Sequence, residues 1–447
     1  MNKKIIIIGL IVIILFGIGI WIAMKPKVEE PLRIVPSEIP GVEKRITAYG
    51  WSLKEDEIQA AKEAVLMMKE KIIVPPDFVF LFSSIGYDEE KLLKEIRNLL
   101  PEAKIYGGTS CLGPMTNDGF HIGEKASLAI LGISSPLITW GVGGANLDEL
   151  SPKEAGKEAV LAAIKNAKKE PLEKPKIVFM TAAPGKEERI LEGIEEIVGK
   201  EVPIIGGSSG DDKITGEWRQ YANEKVYKNG LALTVMYTDL KVSFAYETGY
   251  PVAGQRGTVT RAKERIIYQI DDRPAAEVYN QWTGGFFDTQ MKEPGKIWGI
   301  LKEATYYPIA KVLQVPGREP FYLAVHPLSI LKDYSLEVFA DMTAGDEIAL
   351  LHGDWDILLD RFRTTPEKAL REFKVKKGEV LFALYTYCAG TMLAIPEPER
   401  SKMPLLVKEA IGDVPFIGTF TFGEQGFVPG IGNHHGNLIN SIILVTP

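Results

Sequence analysis

Residues 76–84 read PDFVFLFSS and residues 104–110 read KIYGGTS; both return ninety-nine residues later, as PKIVFMTAA at 175–183 and PIIGGSS at 203–209. A period this long exceeds the roughly 20–50 residues of solenoid repeats and marks a duplicated supersecondary unit. The match reaches upstream, where Ser52-Leu-Lys-Glu55 answers Ser151-Pro-Lys-Glu154 at the same offset. A serine followed three residues on by glutamate is a capping box, so Ser52 and Ser151 are read as N-caps, with Pro152 in the first helical turn. Phe78–Phe82 and Ile177–Met180 are continuous apolar runs next to proline, the pattern of buried strands. A helix follows in each copy, its apolar stripe falling on Leu92, Leu93, Ile96, Leu99 and Leu100, then on Ile190, Leu191, Ile194, Ile197 and Val198. A second strand runs into Gly107-Gly108-Thr109-Ser110 or Gly206-Gly207-Ser208-Ser209, and the strands Ala126–Leu131 and Leu231–Tyr237 close the units.

A worn third copy is expected at 364–447. Thr365-Pro366-Glu367 opens a helix, Glu379–Tyr385 is an apolar strand, and Met403, Leu406, Val407, Ala410 and Ile411 mark an amphipathic helix. Val414-Pro415-Phe416-Ile417-Gly418 echoes Val202-Pro203-Ile204-Ile205-Gly206, one glycine of the pair has become Thr419, and Ser441–Val445 is the last strand. Between copies two and three, Thr258–Thr260, Ile266–Ile270, Phe321–Val325, Leu336–Phe339 and Glu347–Leu351 read as strands, with a helix from Pro274 after Asp271 and Asp272, whose carboxylates suit its N-terminus. Alternating helices and strands give an α/β class, duplicated helix-strand-helix-strand units forming mixed sheets covered by helices.

At 447 residues, with 45% hydrophobic and 25% charged residues, the chain is globular and too long for one core. A formal charge of −7 and the lack of a basic run exclude a nucleic-acid partner. Ile5–Met24 is free of charge and long enough to span roughly 30 Å of hydrocarbon. With no small-x-small cleavage site after it, it is read as an uncleaved, single-pass signal anchor over residues 1–24. Residues 25–47, proline-rich at their start, form a tether, and the soluble part is expected outside the cytoplasm with the N-terminus inside. Two cysteines, Cys111 and Cys388, cannot build a disulfide framework.

The glycine pairs leave two readings open. Without Cβ, Gly107, Gly108, Gly206 and Gly207 allow backbone N–H groups to face a ligand, with Ser110, Cys111, Ser208 and Ser209 beside them; the plainer reading is a tight turn at a strand end. Cys388 follows a buried strand, and is either a ligand-lining or reactive thiol or an inert core residue. Glu424 and Asn437 bracket His434-His435, a polar set suited to an amino-bearing ligand, or Asn437 instead satisfies backbone groups of its loop; adjacent histidines on a strand face opposite ways and make a poor chelate. Neither a metal nor a cofactor is expected.

These residues resemble the FIST family, whose module has an N-terminal and a C-terminal part. The likeness rests on GGTS and VPIIGGSSGDD, on Gly249–Tyr279, on AVHPLSI at 324–330, on AGDEIALLHGD at 344–354, on Tyr387-Cys388-Ala389-Gly390, and on FTFGEQGF and HHGN near the end. It covers residues 48–447 and implies an N-terminal domain at 48–270, a C-terminal domain at 271–447, and a sensory small-ligand-binding function linked to signal transduction, with amino acids as the ligand class. The family commonly places Arg after the Cys-x-Gly motif; here Thr391 stands there, which removes a bidentate clamp for a carboxylate. The expectation is therefore a membrane-anchored binding protein, leaning away from catalysis, that presents its ligand to a membrane partner. The alternatives are a thiol-dependent hydrolase or transferase using Cys388 and a protein-interaction scaffold.

Overall fold

A strand apolar on both faces has to be covered on both, and strand β2 (Phe78–Ser83) shows how. The computed structural model describes residues 46–293 and 295–447, and all six residues of β2 are buried. Val79 and Leu81 face the helices Glu57–Lys69 and Glu89–Leu99, meeting Ala60, Ala64, Leu92 and Ile96. Phe78, Phe80 and Phe82 face the other way into a second core. β2 pairs in parallel with β3 (Lys104–Thr109) and antiparallel with β6 (Leu128–Ile133), which pairs antiparallel with β1 (Thr47–Ser52). The two further strands of this copy, β4 (Met115–Thr116) and β5 (Gly119–Phe120), form a small hairpin.

Copy two repeats this order. β7 (Ile138–Asn146), β12 (Gly230–Thr238), β8 (Ile177–Ala182) and β9 (Ile204–Gly207) stand side by side with the same parallel and antiparallel senses. Its hairpin is β10 (Gln220–Ala222) and β11 (Lys225–Tyr227). β13 (Lys241–Glu247) then leads into the region between copies two and three. There β14 (Val252–Lys263), β15 (Ile266–Ile270), β16 (Arg273–Pro274), β17 (Trp298–Gly299), β18 (Ile309–Leu313), β19 (Phe321–Val325), β20 (Pro327–Ile330), β21 (Leu336–Val338) and β22 (Glu347–Leu351) form one nine-stranded sheet. Copy three follows with β23 (Phe382–Cys388), β24 (Phe416–Thr421), the hairpin β25 (Glu424–Val428) and β26 (Gly432–Gly436), and β27 (Asn440–Thr446). The order β13-β27-β23-β24 matches β1-β6-β2-β3 strand for strand.

The inner faces of the three sheets share one core. Phe78 stacks on Trp140 at 4.0 Å between centroids, Phe80 meets Phe179 edge-on at 5.4 Å, and Phe382, Leu384, Ile417 and Ile443 complete the contact. Each sheet is then extended by a neighbour's hairpin. β10 from copy two pairs with β3, placing Tyr221 opposite Gly107. β25 from copy three pairs with β9, placing Gln425 opposite Gly206. β4 from copy one pairs with β24, placing Met115 opposite Gly418. The exchange closes a ring, so residues 46–447 form one compact unit in which two sheets join strands from the N-terminal and C-terminal parts, through β25 on β9 and β4 on β24.

Three local expectations are corrected. Ser52 ends a strand and bonds Glu63, while Asp56 caps the first helix by accepting from Gln59 N at 2.9 Å; Ser151 does cap its helix, accepting from Glu154 N. The helix expected to begin at Thr365 already runs from Trp355 to Phe373 with Pro366 inside it. A proline there gives up one hydrogen bond, and burial of Phe362, Thr365, Pro366 and Ala369 holds the helix across the gap. Asp271 and Asp272 have positive φ and act in the turn, Asp271 accepting from Thr258 N at 2.9 Å. The expected anchor and most of the tether lie outside the described residues, and among the described residues no helix is long and apolar enough to cross a membrane.

Candidate functional site

The strand ends that carry the glycine pairs converge, and they bond to one another. Cys111 N donates to Phe420 O (3.0 Å), Phe422 N to Ser208 O (2.9 Å) and Gly210 N to Thr109 O (3.1 Å). These three bonds join equivalent positions of the three copies in a cycle. The side chains are equally committed. Ser110 Oγ donates to Gly113 O and accepts from Phe420 N, Ser209 Oγ bonds Thr181 Oγ1, and Ser208 Oγ donates to Glu187 Oε1 at 2.7 Å. A Cβ on Gly107 or Gly206 would run into the carbonyl oxygen of Leu81 or Met180 on the adjacent strand, and one on Gly207 would meet Thr421 at 2.6 Å. The glycines thus let the strands and loops close on each other. Cys111 is buried here, its thiol pushed up to about 12 by desolvation.

Beside this junction lies a cavity of about 470 Å³, within the range of small-molecule sites. Its walls are Trp218 from the loop before β10, Leu301 and Tyr306 from around the helix Leu301–Ala304, Phe339 after β21, Leu393 from the helix Ala389–Ala394, and Phe422 after β24. The loop carrying Ile214 and Trp218 is gathered around the buried Asp211, whose carboxylate accepts from the backbone N–H groups of Lys213, Ile214, Thr215, Gly216 and Glu217. Two predicted site residues line the cavity, Cys388 and Asn437. Gly107, Gly108, Ser110, Cys111, Gly206, Gly207, Ser208 and Ser209 belong to the junction and are absent from its lining. A larger, more open surface cleft of about 620 Å³ runs along Glu90, Lys94, Arg97, Glu149, Glu158 and Glu224, with Arg97 paired to Glu224, and holds none of the predicted site residues.

His326, not singled out from sequence, is the cavity's central polar group. It is 4% exposed, and burial pushes its pKa down to about 4, so it is neutral near pH 7. Its Nε2 donates to Leu301 O at 2.8 Å, which leaves Nδ1 as the acceptor. Asn437 Oδ1 accepts from His326 N at 3.2 Å and Asn437 Nδ2 donates to Phe339 O at 3.4 Å, fixing the amide's orientation. Gly423, at φ 101°, brings the backbone against both Asn437 and His435; a Cβ there would lie 2.6 Å from His435 Cε1. The motif AVHPLSI contained His326, but a single histidine in an apolar stretch gave no sign of an aromatic cavity assembled from segments scattered along the chain.

Glu424 is fully buried behind Cys388. Burial pushes its pKa up to about 8 while Thr421 Oγ1 (2.7 Å), Ile439 N (3.1 Å) and the Cys388 thiol donate to it. Burial, with Glu424 nearby, also pushes the Cys388 thiol well above its ordinary range. Thr391 is buried and donates to Cys388 O at 2.7 Å, closing off the place where the family commonly has arginine. Below this lies Arg361, 1% exposed, bonded to Asn440 Oδ1 and Leu438 O and set between the rings of Tyr250 and Tyr387.

A second charged group touches the cavity through Arg265. Its Nη2 donates to Glu187 Oε2 and Glu188 Oε2, both at 2.8 Å, and its Nε lies 3.6 Å from Asp341 Oδ1. His435 Nε2 stands 3.8 Å from Glu187 Oε2. Burial opposes ionisation of both glutamates, but His435 and Arg265 outweigh it and hold Glu187 and Glu188 below the usual carboxylate range. Ligand atoms of Glu187, Glu188 and His435 lie within 4.8 Å of one another, a metal-like spacing, yet the Arg265 guanidinium already supplies the cation.

Residues 77–273 match the FIST N domain and residues 275–427 the FIST C domain. The chain carries both FIST domains. FIST domains are sensory and ligand-binding in general, and a coarse sensory role fits this fold and its cavity. An uncharacterized protein of Methanocaldococcus jannaschii is 27% identical over 196 residues, which are 42% of this chain and 35% of that one. The chain spans about a third of the length of this curated relative. Among solved structures, a cyanuric acid hydrolase from A. caulinodans is 8% identical with a TM-score of 0.34, over 90% of this chain and 99% of that one. A second cyanuric acid hydrolase, described as an evolutionary innovation by structural concatenation, is 8% identical with a TM-score of 0.30 over the same shares of each chain.

Proposed function

We propose that this FIST chain is a membrane-anchored sensory protein that captures a small, mostly apolar ligand in the cavity between Trp218, His326, Cys388 and Asn437. The observation that carries the reading is that cavity: aromatic walls enclose a few polar groups whose orientation is fixed by the backbone around them. Three copies build the scaffold, and the ligand bridges copy two's loop, copy three's strand end and the intervening sheet, so binding ties together segments distant in sequence. That is how occupancy becomes a change in the whole unit. The apolar segment at residues 5–24 anchors the protein with its soluble part outside the cytoplasm, where the bound form is presented to a membrane partner.

Thermal-shift screening of the purified full-length chain against amino acids and related small metabolites tests the binding reading. A stabilising compound should lose its effect in Trp218→Ala. No shift by any compound, with Trp218→Ala indistinguishable throughout, sinks it. Protease protection in membrane vesicles tests the anchor, which requires the soluble part to be shielded on one side only.

A further inference from the structure

The charge around the cavity decides what it accepts. Among the described residues no aspartate or glutamate lines it, and Glu424 is sealed behind Cys388, so an ammonium group finds no carboxylate there. Arg265 is, among the described residues, the one cation held in the wall, and it faces three carboxylates, Glu187, Glu188 and Asp341. Negative charge remains in excess there even with a proton on His435, so a ligand carboxylate approaching Arg265 is repelled. Lys302 is exposed on the rim, where solvent screens it. A zwitterion is therefore served at neither end.

The fixed polar groups ask for a neutral partner. His326 Nδ1 makes no hydrogen bond among the described residues and accepts one. Asn437 Nδ2 spends one N–H on Phe339 O and keeps a second. One acceptor beside one donor matches a carboxamide, whose N–H goes to His326 and whose carbonyl goes to Asn437. Trp218 and Phe422 meet at right angles, with centroids 6.2 Å apart, and form an aromatic corner for a flat ring. Resting on the cavity being the ligand site, we propose that its ligand is an uncharged aromatic carboxamide, with the amide between His326 and Asn437 and the ring against Trp218 and Phe422.

Calorimetric titration of the full-length chain with indole-3-carboxamide, indole-3-carboxylate and tryptophan tests this. The carboxamide should bind at least about tenfold more tightly than either charged compound, because a buried donor–acceptor pair discriminates strongly against a mismatched group. Trp218→Ala, whose side chain is partly exposed and makes no hydrogen bond from its indole, should weaken the carboxamide by about tenfold while its unfolding midpoint stays near that of the unaltered chain. Equal or tighter binding of the carboxylate or of tryptophan overturns the charge argument and leaves the sensory cavity standing. Unchanged affinity in Trp218→Ala overturns the placement. Silence from all three compounds overturns the ligand class, and only a blank across the wider screen removes the cavity reading as well.

Discussion

The threefold junction and the cavity are made of the same material, loops at the ends of buried parallel strands, yet one is closed and the other open. At the junction each loop finds two equivalents of itself, and backbone hydrogen bonds tie the three in a cycle while their serine hydroxyls bond within the protein. At the cavity copy three's strand end finds no equivalent. It meets the intervening sheet instead, through His326 between β19 and β20 and Phe339 after β21, and the fit leaves about 470 Å³ unfilled. Symmetry closes the core and its local failure opens the site.

The sharpest way to break this comparison is to add one methyl group to each region. Gly107→Ala places its Cβ against the Leu81 carbonyl oxygen, where backbone has to move in a strand paired on both sides. A loss of at least about 3 kcal/mol is expected, read as a drop in the denaturant midpoint. Gly390→Ala borders the cavity, and its nearest neighbour is Leu438 Cδ2 at 3.3 Å, a movable side-chain end. That change should cost under about 1 kcal/mol and show in ligand affinity instead. Equal losses at the two positions would erase the distinction between a filled and an open region.

The pH dependence separates the two groups that flank Cys388. Glu424 has its folded pKa raised from 4.5 to about 8, so the folded form favours its protonated state. Its contribution is fully present below the unfolded pKa and is lost as pH rises through about 8, by a few kcal/mol at most. His326 runs oppositely: its folded pKa falls from 6.5 to about 4, so stability is present above the unfolded value and lost as pH falls toward the folded one. Glu424→Gln should flatten the alkaline side of a stability-against-pH curve and leave the acid side in place. A curve unchanged on the alkaline side would mean that Glu424 is ionised in the folded protein.

Asn437→Leu sharpens the comparison from the cavity side. It leaves His326 N without its 3.2 Å acceptor, and a loss of about 1–3 kcal/mol in unfolding free energy is expected. Asn437→Asp keeps the acceptor and should recover much of that loss, while still removing the N–H offered to a ligand. If both variants unfold alike, the amide oxygen has no structural part.

Much of the scaffold was legible in the chain because its causes are local. The apolar runs at 78–82 and 177–180 mark strands covered on both faces, and the stripe through Leu92, Leu93 and Ile96 marks the helix covering one of them. The third copy keeps Gly418, opposite Met115, but an added Cβ there would meet the Met115 side chain and not a strand carbonyl, so the constraint that fixes Gly107 and Gly206 is relaxed in this copy. The glycines pointed to convergence, but their sequence could not say whether the loops meet a ligand or one another. That depends on the hairpin exchange, a long-range pairing that leaves no periodic trace. His326, Arg265 and Trp218 were missed for the same reason, since each gains its meaning from neighbours far away in the sequence.

The smallest expected effect bears on catalysis. Cys388 lines the cavity, which a nucleophile must, and that alone would favour a thiol enzyme. A thiolate, however, has to be stabilised by positive charge or by donors aimed at sulfur. Here backbone N–H groups of Thr391, Gly390 and Leu438 do favour the thiolate, but burial and the neighbouring Glu424 outweigh them and push the thiol's pKa well up. His326 is present in the cavity, but its Nε2 proton is committed to Leu301 O and burial disfavours the imidazolium that would have to form. Iodoacetamide at pH 7 should therefore label Cys388 far more slowly than a free thiol, and Cys111, buried in the junction with its own thiol pushed up to about 12, should behave the same way. The two regions then differ in space for a ligand and not in cysteine reactivity. Rapid, selective labelling of Cys388 would reverse that conclusion and make the open region a reaction site instead of a binding one.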